Sequence, residues 1–167
     1  MINLLTPDAY VGSIFNITPD RLKSNGIYGL ILDIDNTLVA THVRAADKKV
    51  LHFISDMNAQ GIKTIVVSNG RKERVELFCR PLGIEYVYKA LKPLGRGFDI
   101  AIEKLKLPEN QIAIIGDQLF TDVLGGRLKG IHTILIKPID LDEPFLIKIK
   151  RIFEKPFLTN KQYKDKF

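Results

Sequence analysis

The chain has 167 residues, 46% of them apolar and 26% charged, with one cysteine and a net charge of +6. These values describe one compact domain, residues 1–167, with a sizeable core, and they exclude disordered, collagen-like and disulfide-rich classes. The N-terminal MINLLTPDAY lacks the basic start and apolar run of a signal peptide, and no stretch approaches the roughly 20 apolar residues that cross a bilayer, so a cytoplasmic location is expected.

Residues 1–28 are expected to be helical or irregular and to pack on the core, with Thr18-Pro19 as a helix start and Asn25-Gly26 as its stop. From there, short runs rich in Ile and Val alternate with stretches of helical spacing. The predicted strands are Gly29–Ile34, Lys63–Val67, Glu85–Tyr88, Gln111–Ile115 and His132–Ile136. The predicted helices are Ala46–Gln60, Lys72–Leu82, Gly97–Leu107 and Thr121–Lys129. Five strands separated by helices imply a Rossmann-like, doubly wound parallel sheet of the α/β class. Cys79, inside a predicted helix, reads as a buried packing residue.

Charge is unevenly distributed. Residues 144–167 carry seven basic and two acidic side chains, a net of +5, which leaves +1 for residues 1–143. In this segment Phe145, Ile149, Ile152 and Phe153 alternate with lysines at helical spacing, which predicts an amphipathic helix over Glu143–Glu154. Packing on the core is its expected role, and contact with an anionic membrane surface is the alternative. A solvated basic end that maintains solubility explains the charge equally well.

Ligands of open α/β sheets bind beyond the carboxyl ends of the strands, so polar residues after apolar runs mark the candidate site. Three such places stand out: Asp33-Ile34-Asp35-Asn36-Thr37, Ser68-Asn69-Gly70, and Gly116-Asp117 with Asp122 beyond it. Asp33 and Asp35 fall two apart and repel unless a cation or a shared proton relieves them. Asp117 from another strand would complete an oxygen-rich set suited to Mg²⁺. That cation would bind phosphate, with one carboxylate as nucleophile and its neighbour as proton shuttle. Lys92, Ser68 and backbone N–H groups near Asn69 are of the types that stabilise phosphoryl oxygens.

DIDNTLV (33–39), VVSNG (66–70), KALKP (89–93) and GDQLFTDVLGG (116–126) resemble the four motifs of haloacid dehalogenase (HAD) superfamily phosphatases. The match is close to the YqeG-like, phosphatidylglycerophosphate phosphatase-like group of subfamily IIIA, and it covers roughly Leu30 to Lys137. The resemblance implies Asp33 as nucleophile, Asp35 as general acid/base, Ser68 as the phosphoryl-binding hydroxyl and Lys92 as the charge-stabilising cation. It assigns Mg²⁺ to Asp33, the Asp35 carbonyl and Asp117, with Asp122 auxiliary and Asn69 among the substrate-binding groups. Lys89 competes with Lys92 for the cation role and otherwise touches substrate. Ala40–Arg44 lacks the acidic residue that commonly follows the first motif in this group, and Gly70 stands where Asn is common; both bear on substrate preference. His42 is expected to be an exposed loop residue.

Thr37 to Ser68 spans 31 positions and Ser68 to Lys92 spans 24, which leaves room for one helix in each gap and none for an inserted cap domain. A capless site favours a large or surface-bound phosphomonoester, such as phosphatidylglycerophosphate, because water must be excluded by the substrate, a surface or a second subunit. A phosphorylated substrate and peripheral contact with the inner face of an anionic membrane are therefore the expected partners. Nucleic acid is not expected, and a homo-oligomer stays open. A receiver-type phosphorylation switch and a non-catalytic phosphate- or metal-binding protein are the alternative readings.

Overall fold

The computed structural model describes residues 4–158. Lys161, Lys164 and Lys166, part of the basic C-terminal segment, lie outside the described residues. The strands are β1 (Ala9–Val11), β2 (Gly29–Leu32), β3 (Lys63–Val67), β4 (Glu85–Val87), β5 (Ile112–Gly116) and β6 (His132–Ile136). They form one all-parallel sheet in the order β1-β6-β5-β2-β3-β4.

The sixth strand corrects the expectation for the N-terminal segment. Ala9–Val11 pairs in parallel with Ile134–Ile136 at the sheet edge, and its three residues are too few for alternation to register in the sequence. The helix that follows, α1 (Pro19–Ser24), starts after Thr18 and ends at Asn25-Gly26, with Gly26 at a φ of 74°.

Alternation along β2 divides the core. Leu30 and Leu32 face one layer with α1, α2 (Lys48–Ala59) and α3 (Lys72–Cys79), while Ile31 faces the other with α4 (Gly97–Leu105). Helix α2 presents Val50, Phe53, Ile54 and Met57 to the sheet, and the Asp47 side chain caps it by accepting from the Val50 N–H at 2.9 Å. Helix α3 ends at Cys79 because Pro81 follows, and residues 80–82 tighten into a 3₁₀ turn. Cys79 is buried as expected, and burial pushes its thiol up to about 12. Beyond β5 the chain winds through a π-helical turn at Leu119–Val123 into the short α5 (Leu124–Leu128). The predicted regular helix from Thr121 is therefore replaced by a wider turn, which directs Thr121 and Asp122 inward.

The last helix, α6 (Phe145–Leu158), departs most from expectation. An amphipathic helix ordinarily buries its apolar stripe. Here Phe145, Leu146, Ile152 and Phe153 are exposed, while Arg151 and Glu154 point into the protein. The helix does pack against the protein, but through Arg151, Glu154 and Leu158 rather than through its apolar stripe, because the inward charges find partners there. No helix among the described residues is long and apolar enough to cross a membrane.

Candidate active site

The chain runs outward from β2 to β4, then returns to β5 on the other side of β2, so β2 and β5 flank the point where the winding reverses. Such switch points open a crevice at the strand carboxyl ends. Leu32 pairs with Val66 on one side and Ile115 on the other, so Asp33 lies level with Val67 and Gly116, and the residues just beyond β2, β3 and β5 fall within one residue step of one another in height. These are Asp33, Ser68 and Asp117. The Asp33 N–H extends the ladder by donating to the Ile115 carbonyl at 3.0 Å, which fixes the start of its loop.

That loop is a tight turn. The Ile34 carbonyl accepts from the N–H groups of Thr37, Leu38 and Val39, and Asn36 adopts a φ of 58°, a conformation Asn tolerates better than most residues. The buried Asn36 amide donates to Glu143 Oε1 at 2.6 Å, and its carbonyl oxygen accepts from the Asp140 N–H at 3.1 Å. The first motif is thereby tied to the segment ahead of α6.

Lys92 comes from the loop after β4 and is buried. Its ammonium donates to Asp33 Oδ1 and to Asp122 Oδ1, each at 2.6 Å. Asn69 holds that loop by accepting from the Lys92 N–H at 2.8 Å, and the Ala90 N–H donates to the Ser68 carbonyl. Burial alone would lower the Lys92 ammonium, but Asp122 and Asp33 outweigh it and hold it above the ordinary lysine range. Burial raises the Asp33 carboxyl to about 7, with Lys92 opposing and Asp122 adding to the rise. Asp122 can come this close because Gly116 lacks a side chain: a Cβ there would stand 2.3 Å from the Asp122 Cγ.

Asp35 follows a different path from Asp33. Its carboxylate pairs with Arg74 at 3.3 Å, and Arg74 is itself held by the Val43 and Arg44 carbonyls. Burial raises the Asp35 carboxyl, and Arg74 opposes the rise. A group poised this way can hold or release a proton near the reacting oxygen. The Ser68 hydroxyl accepts from the Gly70 N–H at 3.0 Å, which leaves its O–H to donate to an incoming oxygen.

The donor set fits a hard divalent cation. Carboxylate oxygens of Asp33, Asp117 and Asp122 lie within 4.8 Å of one another, all from buried residues. Among the described residues Asp117 Oδ1 is buried without a hydrogen-bond partner, and burial raises this carboxyl well above the usual range, against the lowering effect of Arg151. An orphaned carboxylate oxygen beside two further carboxylates is what an oxygen-seeking cation relieves. The Asp35 carboxylate, turned to Arg74, is not among these three; the resemblance assigns only its carbonyl to the metal.

Residues 42–128 match the family of haloacid dehalogenase-like hydrolases. The probable phosphatase YqeG of Bacillus subtilis is 42% identical over 153 residues, spanning 92% of this chain and 89% of that protein. The chain belongs to the haloacid dehalogenase-like hydrolase family. Phosphatidylglycerophosphate phosphatase 1 of Arabidopsis thaliana is 25% identical over 159 residues, 89% of this hydrolase but only 45% of the plant protein. The fold is shared with the cobalt-bound deoxy-D-mannose-octulosonate 8-phosphate phosphatase YrbI of Haemophilus influenzae, at a TM-score of 0.57, 19% identity and 77% coverage of each chain.

The hydrolase brings Asp33, Asp35, Ser68, Asn69 and Lys92 into the wall of one pocket of about 130 Å³. Asp117 and Asp122 stand behind it in the carboxylate cluster. Lys89 is exposed and does not line the pocket, so of the two lysines only Lys92 meets the carboxylates. His42 is exposed and pairs with Asp140 at 3.6 Å.

Four contributors, all on α6, were not legible in the sequence. Arg151 on α6 bonds the Asp117 carboxylate, donates to the Asp117 carbonyl at 2.6 Å and pairs with Glu143 at 2.7 Å. Glu154 accepts from the Phe120 N–H at 3.2 Å. Ile147 and Lys150, on the same helix, complete the pocket wall. No cap is inserted between the motifs, yet the C-terminal helix reaches the mouth, which the spacing between motifs could not reveal. Its only sequence signal was the pair Arg151 and Glu154, three apart on the face opposite the apolar stripe.

Proposed function

We propose that this HAD-family phosphatase hydrolyses phosphomonoesters in a Mg²⁺-dependent reaction through an aspartyl-phosphate on Asp33. The observation that carries the reading is the buried Asp33 carboxylate, 2.6 Å from the Lys92 ammonium, at the floor of a pocket that Ser68 also lines.

The Asp33 carboxylate attacks phosphorus, and the ester oxygen leaves as Asp35 gives it a proton. Water then cleaves the acyl phosphate, with Asp35 taking the proton back. Lys92, the Ser68 hydroxyl and backbone N–H groups near Asn69 bind the phosphoryl oxygens where negative charge spreads. Asp33, the Asp35 carbonyl and Asp117 would hold Mg²⁺, supported by Asp122, and the ion when bound would neutralise charge on the phosphoryl group. Arg74 orients Asp35, and Arg151 holds Asp117 so that Oδ1 faces the cluster.

A pocket of about 130 Å³ admits a phosphoryl group and its nearest atoms, well below the roughly 300 Å³ of common ligand sites. The rest of the substrate therefore lies outside. This supports a terminal phosphate on a large or surface-bound molecule, and the Arabidopsis relative's name points to phosphatidylglycerophosphate. Purified full-length protein is expected to hydrolyse an aryl phosphate with Mg²⁺, to stop on chelation and to recover when Mg²⁺ is restored. Phosphatidylglycerophosphate should give a higher kcat/KM than nucleotides or sugar phosphates. A soluble phosphate that outperforms the lipid would overturn the substrate reading; no turnover on any of these would overturn the catalytic one.

A further inference from the structure

We propose that the outward face of α6 docks this enzyme on an anionic lipid bilayer and so sets the mouth of the active site at the membrane surface. The proposal rests on the phosphatase reading for its purpose, but not for its geometry. Ile147, Arg151, Glu154 and Leu158 recur at helical spacing on the inward face. Arg151 and Glu154 are anchored there by Asp117, Glu143 and the Phe120 N–H. This charged anchoring forces the apolar residues outward: Phe145, Leu146, Ile152 and Phe153 are 60–76% exposed.

The exposed face also has a single sign of charge. Lys148, Lys150 and Lys155 are exposed, whereas Glu154, the only acid of α6, is fully buried. Asp142, just ahead of the helix, pairs with Lys148 at 3.3 Å. Large apolar side chains bordered by lysines suit the boundary between anionic headgroups and acyl chains. A second copy of the same face would set lysines against lysines.

The rest of the surface agrees. Among the described residues, every other large apolar side chain at least 60% exposed also lies at the carboxyl end of the sheet. These are Leu91 and Leu94, in the loop that carries Lys92, and Leu141, between β6 and α6. Lys92 and Lys150 line the same pocket, so both apolar segments border it. A bilayer engaging both would cover the pocket and exclude water from it, in place of a cap domain.

The test is co-sedimentation of the full chain with vesicles of phosphatidylcholine alone or containing 30% phosphatidylglycerol, neither of which carries a terminal phosphate. Binding should require the anionic lipid and fall several-fold between low and high salt. The double variant Phe145→Ser, Phe153→Ser changes exposed residues outside the pocket. It should bind at least tenfold more weakly and keep wild-type turnover of a soluble aryl phosphate. Wild-type protein that ignores anionic vesicles at low salt, or a double variant that binds as well as wild type, would overturn the proposal. So would a wild-type dimer that the double variant converts to monomer without any vesicle binding. Binding is read without turnover, so an inactive protein that still binds counts against the phosphatase reading alone.

Discussion

Asp33→Asn is expected to reduce kcat/KM on an aryl phosphate by roughly 10³-fold or more, because it removes the nucleophile while keeping the shape of the side chain. The same change should leave the melting temperature unchanged or raise it. Asp33 is buried and its carboxyl is raised to about 7, so the fold disfavours the ionised form on which catalysis depends. At pH 8 the native protein holds a charge that folding opposes, and a neutral amide at this position removes the penalty. Oδ1 can still accept from Lys92. Loss of activity together with a gain in stability is the signature of a strained reactive group, whereas a structural carboxylate would lose both.

Lys92→Met should also cost activity, roughly 10²- to 10³-fold in kcat/KM, by removing the cation that meets the transferring phosphoryl group. Its effect on stability has the opposite sign. Lys92 lies between Asp33 and Asp122 at 2.6 Å from each, and without it two buried carboxylates face each other. Breaking a buried pair in this way costs about 3–5 kcal/mol. The cost should be greatest at pH 8 and shrink on acidification, since Asp33, already raised to about 7 with Lys92 present, takes up a proton more readily without it. Thermal melts at pH 8 and pH 5.5 read this directly. Lys89→Met is the control: the side chain is exposed and does not line the pocket, so activity and melting should stay near wild type. Comparable losses at Lys89 would assign the cation role to the wrong lysine.

The central strands were legible because they are buried on both faces and read as continuous Ile and Val runs, and the ends of β3 and β6 fall where the pattern places them. The residues beyond those ends stood out because polar groups follow apolar runs abruptly, and Asp33, Ser68 and Asp117 do emerge within one residue step of one another at the same end of the sheet. What periodicity carries is local, and what it missed is long-range. The edge strand Ala9–Val11 exists through pairing with β6, more than 120 residues later. Asp117 is held by Arg151, 34 residues on, through contacts with no spacing rule. The amphipathic pattern of α6 was correct, but its direction was not: a moment locates an apolar face without saying which way it turns. Here that is decided by the partners of Arg151 and Glu154.

The central claim is that phosphate passes through Asp33, and rapid quenching tests it. Full-length protein mixed with a radiolabelled phosphomonoester and Mg²⁺, then acid-quenched within milliseconds, should carry label as a base-labile acyl phosphate. Borohydride reduction and peptide mapping should place it on Asp33, with decay keeping pace with product release. Product formed with no protein-bound label, label on another residue, or a phosphoprotein that persists for minutes without turnover would contradict the account.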